Sequence, residues 1–476
     1  MKIIARVLLS ACLLVASAGR AVELVAEHEA GEVLLFPHFT ARSNSADDFM
    51  TLVTLSGRAA TDGDATDVAA SADPVAVRVV FRVPAVEGHQ PPPLMINLLL
   101  RSEDSWTFVA SRGALFTADA SCAIGPAGAI TATMLRDGVP LPGAEGWIEV
   151  FELGRVISAD VIARLNRPDR GAACAEIAAL VPTLAADQWL TAPDNRLRGA
   201  AHFVSVSVGT SFTARPVVLR DFRDVPLYAS ASQDAPTLAH ARPARADVIL
   251  AERSRRTSWF SARPVDAVSA VLMTTEWELD FEISPGLAAG TDVVVTLPTR
   301  PWYVGSGGSH PPFQHPTRGD GSFELNARVF DREGSRPDLA ASKCTPPFSV
   351  PHLGPVIDAP LVKLKLGDRS TFLSPNARPL TYAVRDRSDC AIGGLVEQTL
   401  PAAGIHSGRV TLQFVDGPRA PLDAAGFGQL ISDEGHVFHG MPVIGTAATA
   451  VVNFNARPSV MANYGLDQPI VRRAGY

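Results

Sequence analysis

Val75-Ala76-Val77-Arg78-Val79-Val80-Phe81-Arg82-Val83 is the stretch that decides the fold class. It alternates with the two-residue period of a β-strand and is rich in the β-branched residues that strands favour. Outward from it the pattern repeats. Val33-Leu34-Leu35-Phe36-Pro37-His38-Phe39, Phe49-Met50-Thr51-Leu52-Val53-Thr54-Leu55, residues 94–100, Trp106-Thr107-Phe108-Val109 and Trp147-Ile148-Glu149-Val150-Phe151 all read as strands. Clusters of Asp, Gly, Pro and Ser, such as residues 60–73, separate them. Residues 201–208 alternate strictly, Gly209-Thr210 reads as a turn, and 212–219 as the returning strand of a hairpin. Helical signals are few: residues 158–165 with Ser158 as the cap, and an alanine-rich run, 175–188, interrupted by Pro182. Further strands are expected at 267–283, 292–297, 322–330, 409–415 and 448–455. The expectation is a mainly β chain of two β-sandwich-like (immunoglobulin-like) domains, 22–231 and 247–476, joined by a proline- and alanine-rich linker at 232–246.

The first 21 residues read as a secretory signal peptide. Lys2 and Arg6 precede the apolar run 7–16, and Ala16-Ser17-Ala18 supplies a small-x-small cleavage site. Cleavage after Ala18 fits this pattern best, with Ala21, in Gly19-Arg20-Ala21, as the second site. Leu9-Ser10-Ala11-Cys12 matches the sequence at which lipoproteins are cut and acylated, but only residues 7–11 separate Arg6 from Cys12, so a lipid anchor at Cys12 is the minor alternative. The expected destination is the periplasm, the outer surface or the medium. Apart from Cys12 the cysteines are Cys122, Cys174, Cys344 and Cys390, an even number suited to an oxidising compartment. Cys122–Cys174 and Cys344–Cys390 are the preferred pairs, because each closes a loop within one half. No Cys-x-x-Cys occurs, which argues against a structural zinc site.

Thirty-seven prolines and thirty-seven glycines in 476 residues argue for strands joined by turns. At 47% hydrophobic and 19% charged, the chain can build real cores. A net charge of −7 speaks against a nucleic-acid partner, which requires a basic face. The basic cluster Arg253-Ser254-Arg255-Arg256 reads as a solvated turn. No later segment is apolar over the ~20 residues a transmembrane helix needs. Aromatics at 7% fall short of the girdles of an outer-membrane barrel.

Thr275-Glu276-Trp277-Glu278-Leu279-Asp280-Phe281-Glu282-Ile283 is the most unusual local pattern. On a strand, Glu276, Glu278, Asp280 and Glu282 line one face and Trp277, Leu279, Phe281 and Ile283 the other. The acidic row is a weak candidate metal site, for calcium, or a surface for a cationic partner. Residues two apart on a strand are ~6.6 Å apart at the backbone, a spacing that also admits the paired carboxylates of a glycosidase. The plainer reading is a solvated sheet face paired with arginines of the next strand. His310 and His315, and His436 and His439, are loop pairs that lack a third ligand by spacing and read as ordinary histidines. Gly305-Ser306-Gly307-Gly308-Ser309 is a flexible loop rather than a phosphate cradle. No Gly-x-Ser-x-Gly, His-Glu-x-x-His or P-loop motif is present.

Several short patterns are similar to those of a family of uncharacterised exported β-rich proteins of Gram-negative bacteria. They are Leu34-Leu35-Phe36-Pro37-His38-Phe39-Thr40, Leu100-Arg101-Ser102-Glu103-Asp104-Ser105-Trp106, Asp119-Ala120-Ser121-Cys122, Gly146-Trp147-Ile148-Glu149-Val150, Thr296-Leu297-Pro298-Thr299, Phe330-Asp331-Arg332-Glu333 and Pro442-Val443-Ile444-Gly445. The resemblance implies export and brings no activity, so no catalytic or cofactor-binding residue is assigned. The expected function is a non-enzymatic structural or binding protein of the bacterial envelope or cell surface, with an envelope protein, a surface protein or a glycan as partner. The alternative is a secreted carbohydrate-active or other hydrolase using carboxylates of the Glu276–Glu282 strand.

Overall fold

The computed structural model describes residues 20–26, 29–42, 49–57, 73–85, 90–101, 104–119, 121–206, 209–250, 253–259, 263–287, 289–315, 319–334, 355–368, 377–385, 395–414, 427–453, 462–468 and 471–473. The chain is mainly β, with several sheets and few helices. Residues 1–19 of its signal-like segment, with Cys12, and also Cys344 and Cys390 lie outside the described residues.

The Val75–Arg82 strand lies inside a ten-stranded sheet, between Glu145–Arg155 and Leu94–Leu100. Val33–Thr40 pairs with the far side of Glu145–Arg155. One face of this large sheet, carrying Phe36, Phe39, Val77, Phe81 and Ile96, packs on a six-stranded sheet through Val53, Leu55, Trp106, Phe108 and Phe203. The opposite face carries Val33, Leu35, Val80 and Phe151 and is covered by the Val265–Leu272 helix with Trp259 and Phe438. The helices Ala159–Leu165 and Arg170–Leu180 cover its other end through Val161, Cys174 and Ile177. Ser158 caps the first of these, its hydroxyl accepting from the Val161 amide. Cys122 and Cys174 form a disulfide that ties the second helix to the sheet.

In the second half a four-stranded sheet contains Asn326–Asp331, Ser407–Gln413, Glu276–Glu282 and Val471–Arg473. It faces a five-stranded sheet built around Ala289–Thr296 and Ile444–Asn453. Trp277, Leu279, Phe281, Val410 and Leu412 meet Val293, Val295 and Leu364 between them. Gly445 allows the close approach: a Cβ there would lie 2.3 Å from the Trp277 ring. Residues of the other face of the five-stranded sheet, Val294, Leu361, Ala448 and Ala450, belong to the core of the first half. The Thr296 hydroxyl donates to the Pro37 carbonyl at 2.6 Å, and Lys363 pairs with Glu145 across the same boundary.

Two segments differ from the sequence reading for identifiable reasons. Residues 265–272 are a helix, not part of a strand over 267–283. Seven of the eight are buried, and an apolar run this short, Val265 to Leu272, cannot be told from a buried strand by periodicity. Residues 232–246, read as a linker, pack on the large sheet. Leu238 and Ala241 are buried there, and Arg245–Leu250 joins the sheet as a parallel neighbour of Val22–Val25.

Arg78 holds this segment. It is fully buried on the outer face of its strand. Its Nε donates to Asn97 Oδ1 at 2.7 Å; Nη1 donates to the carbonyls of Gln233 (2.8 Å) and Ala235 (2.5 Å), and Nη2 to those of Ser230 (3.0 Å) and Ala229. Burial lowers its pKa to about 10, so it stays charged at neutral pH. Arg78→Met removes every one of these donors while preserving the aliphatic stem. It should lower stability by ~3–5 kcal/mol, read as a fall in the urea midpoint. An unchanged midpoint would refute the role given to Arg78.

Candidate functional site

The Glu276–Glu282 strand alternates as its sequence requires. Trp277, Leu279 and Phe281 are buried, whereas Glu276, Glu278 and Glu282 are half-buried and Asp280 is exposed on the outer face. Trp277 packs edge-on against Phe414 with ring centroids 4.8 Å apart. Antiparallel pairing sets Glu276 opposite Gln413, Glu278 opposite Thr411, Asp280 opposite Arg409 and Glu282 opposite Ser407.

Arginines neutralise much of the acidic row. Arg328, two strands away, reaches Glu276 at 2.5 Å, Arg409 reaches Asp280 at 3.3 Å, and Arg332 reaches Glu282 at 2.9 Å. Beside this row lies an open cleft of about 570 Å3. Its lining includes Glu278, Asp280, Glu282, Arg332 and Arg409, with Phe281 and Phe330 as its aromatic residues. Among the described residues no group of three or more His, Cys, Asp or Glu is placed to hold a metal ion.

The other candidates lie apart from this cleft's lining. His310 is exposed, and His315 sets its ring 4.9 Å from that of Phe427. His436 and His439 lie on the hairpin of Gln429–Ile431 and Val437–His439. Residues 304–309 form a tight hairpin. The Arg253–Ser258 stretch is a strand at the edge of the large sheet, where Arg256 pairs with Asp247 at 2.6 Å. This differs from the expected turn.

Charged groups inside the protein are what the sequence did not expose. Glu32 and Glu152 are buried side by side, linked by a hydrogen bond from the Glu152 amide to the Glu32 carbonyl at 2.7 Å. A bulge between Glu152 and Gly154 turns the chain here; Gly154 has φ +142°, and a Cβ on it would lie 2.1 Å from the Thr191 carbonyl oxygen. Glu32 accepts from Arg20 Nη1 at 2.8 Å and from the Arg223 amide at 2.7 Å. Glu152 accepts from the amides of Asp194 (3.0 Å) and Arg196 (2.8 Å). Burial outweighs these donors and raises the Glu32 pKa to about 7. Burial, then the charges of Asp194 and Glu32, raises Glu152 as well. His38 is fully buried near Glu145, Lys363 and Arg42; burial lowers its pKa to about 3, so it is neutral at physiological pH.

No family model, curated protein or solved structure matches the chain.

The buried groups set a pH response. Glu32 keeps its proton in the folded state up to about pH 7, whereas the unfolded chain releases it near 4.5. Its contribution to stability therefore falls as pH rises from about 4.5 to 7 and is constant beyond that. His38 acts with the opposite slope between about pH 3 and 6.5, because there only the unfolded chain takes up its proton. Glu32→Gln isolates the first effect: its melting temperature relative to the unsubstituted protein should increase from pH 5 to pH 8. A constant difference would contradict it. Calcium at millimolar concentration should leave the melting temperature where a chelator leaves it, because binding at the acidic row must displace arginine ion pairs; a clear rise in calcium would reverse this reading.

Proposed function

We propose that the chain is an exported, non-enzymatic structural or binding protein of the bacterial envelope or cell surface. The observation that carries the binding role is the outer face of the four-stranded sheet. It offers one aromatic, Phe330, among arginines and carboxylates beside an open cleft. Aromatic and arginine side chains are the groups that protein contacts favour, and aromatic rings surrounded by polar groups also suit a glycan. Two pairs of facing sheets, sandwich-like and immunoglobulin-like in their mostly antiparallel strands, would supply the rigid frame. The leader-like first 21 residues and the Cys122–Cys174 disulfide support export, and so does the resemblance to exported proteins.

The second reading is a secreted carbohydrate-active or other hydrolase that uses carboxylates of the same strand. Their common face and spacing favour it. Against it, Glu276, Asp280 and Glu282 each have an arginine partner rather than the apolar surroundings that keep a catalytic acid protonated.

Cross-linked pull-down of the tagged protein from its native envelope tests the first reading. A stoichiometric partner, captured by the unsubstituted protein and reduced at least about tenfold by Phe330→Ala with Arg409→Glu, is the expected result. The tenfold loss corresponds to ~1.4 kcal/mol of binding. Equal capture by an unaltered-melting double variant would remove the site from the account. Hydrolysis of an envelope glycan that stops with Glu278→Gln would replace the binding reading with the enzymatic one.

A further inference from the structure

Two small-x-small sequences compete as the end of the leader, Ala16-Ser17-Ala18 and Gly19-Arg20-Ala21. The folded protein treats them differently. Val22 is fully buried, and Ala21 is 1% exposed. Val22–Val25 is an internal strand of the large sheet, between Val217–Arg220 and Arg245–Leu250. Immediately before it, Arg20 turns its guanidinium inward. Nη1 donates to Glu32 Oε1 at 2.8 Å and to the carbonyls of Pro193 (2.6 Å) and Arg223 (3.0 Å). The Glu32 side chain it meets has no exposed surface.

We infer that export processing cleaves the Ala18–Gly19 peptide bond and keeps Arg20 in the mature chain as an anchor of the fold. This inference rests on the export reading above. Cleavage after Ala21 would make Val22 the first residue and put a charged α-ammonium on a fully buried position, at a large desolvation cost. It would also discard the arginine that donates to the buried Glu32 side chain and leave the Pro193 and Arg223 carbonyls without that donor. Cleavage after Ala18 leaves Gly19 and Arg20 ahead of the buried segment. The reaction is hydrolysis by a signal endopeptidase: water supplies hydroxyl to the Ala18 carbonyl carbon, the C–N bond breaks, and the Gly19 nitrogen takes the proton.

The test is the intact mass and N-terminal sequence of the exported protein, made from the full precursor in a bacterial host. A chain beginning at Gly19 is expected. A chain beginning at Val22, or an acylated chain beginning at Cys12, overturns the assignment while leaving export standing. A cytoplasmic chain that keeps its leader overturns both. The anchoring role has its own readout in the purified protein: Arg20→Ala should lower the melting temperature by a few degrees, and Arg20→Ala with Glu32→Gln should recover most of the loss. Equal melting of Arg20→Ala and the unsubstituted protein would refute the anchor.

Discussion

A single buried cation, the guanidinium of Arg78, fixes how the chain passes from its first half to its second. A charge on a central strand with no exposed surface is tolerable only when its donors are used. Arg78 uses them on the carbonyls of Ala229, Ser230, Gln233 and Ala235 and on Asn97. Those carbonyls belong to an irregular stretch whose backbone could not otherwise be covered by a sheet ladder. Once residues 229–235 are laid across the large sheet, Arg245–Leu250 arrives beside Val22–Val25 and the sheet extends. Arg82 reinforces the same surface by bridging Glu149 and Asp234 at 2.8 Å each, with Trp302 of the second half against its guanidinium.

The second consequence is that the first half does not close its core alone: residues of the second half complete it. The Ala289–Thr296 strand is buried on both faces, Val293 and Val295 toward the four-stranded sheet and Val294 in the first half's core. Charges caught at this boundary are matched there: Glu145 meets Lys363 and Arg42, with His38 held neutral beside them. The outer face of the four-stranded sheet carries its charges in the open, with arginines spaced among the carboxylates. Among the described residues, apolar groups and matched charges thus lie inside and alternating charges lie on the outer face.

The sequence made the strands legible because period-two patterning is a local property. Residues 75–83, 147–151 and 276–282 read correctly as strands, as did the Ser158 cap and the Cys122–Cys174 pair. The acidic face of Glu276–Glu282 was visible for the same reason. Pairing with arginines of the next strand was expected, and Arg409 supplies it; Arg328 and Arg332, on and just after the Asn326–Asp331 strand one place further out, could not be identified from local pattern. The Val265–Leu272 helix was hidden by its length and composition: eight mostly apolar residues, seven of them buried, fit a buried strand as well as a helix. The packing of 232–246 depends on Arg78, some 150 residues earlier in sequence, so composition alone suggested a linker.

Calorimetric unfolding of the disulfide-intact protein tests most directly the claim that the halves share one core. The account predicts a single transition whose calorimetric and van't Hoff enthalpies agree. Two resolved transitions, one for each half, would contradict it and return the boundary between the halves to a simple linker.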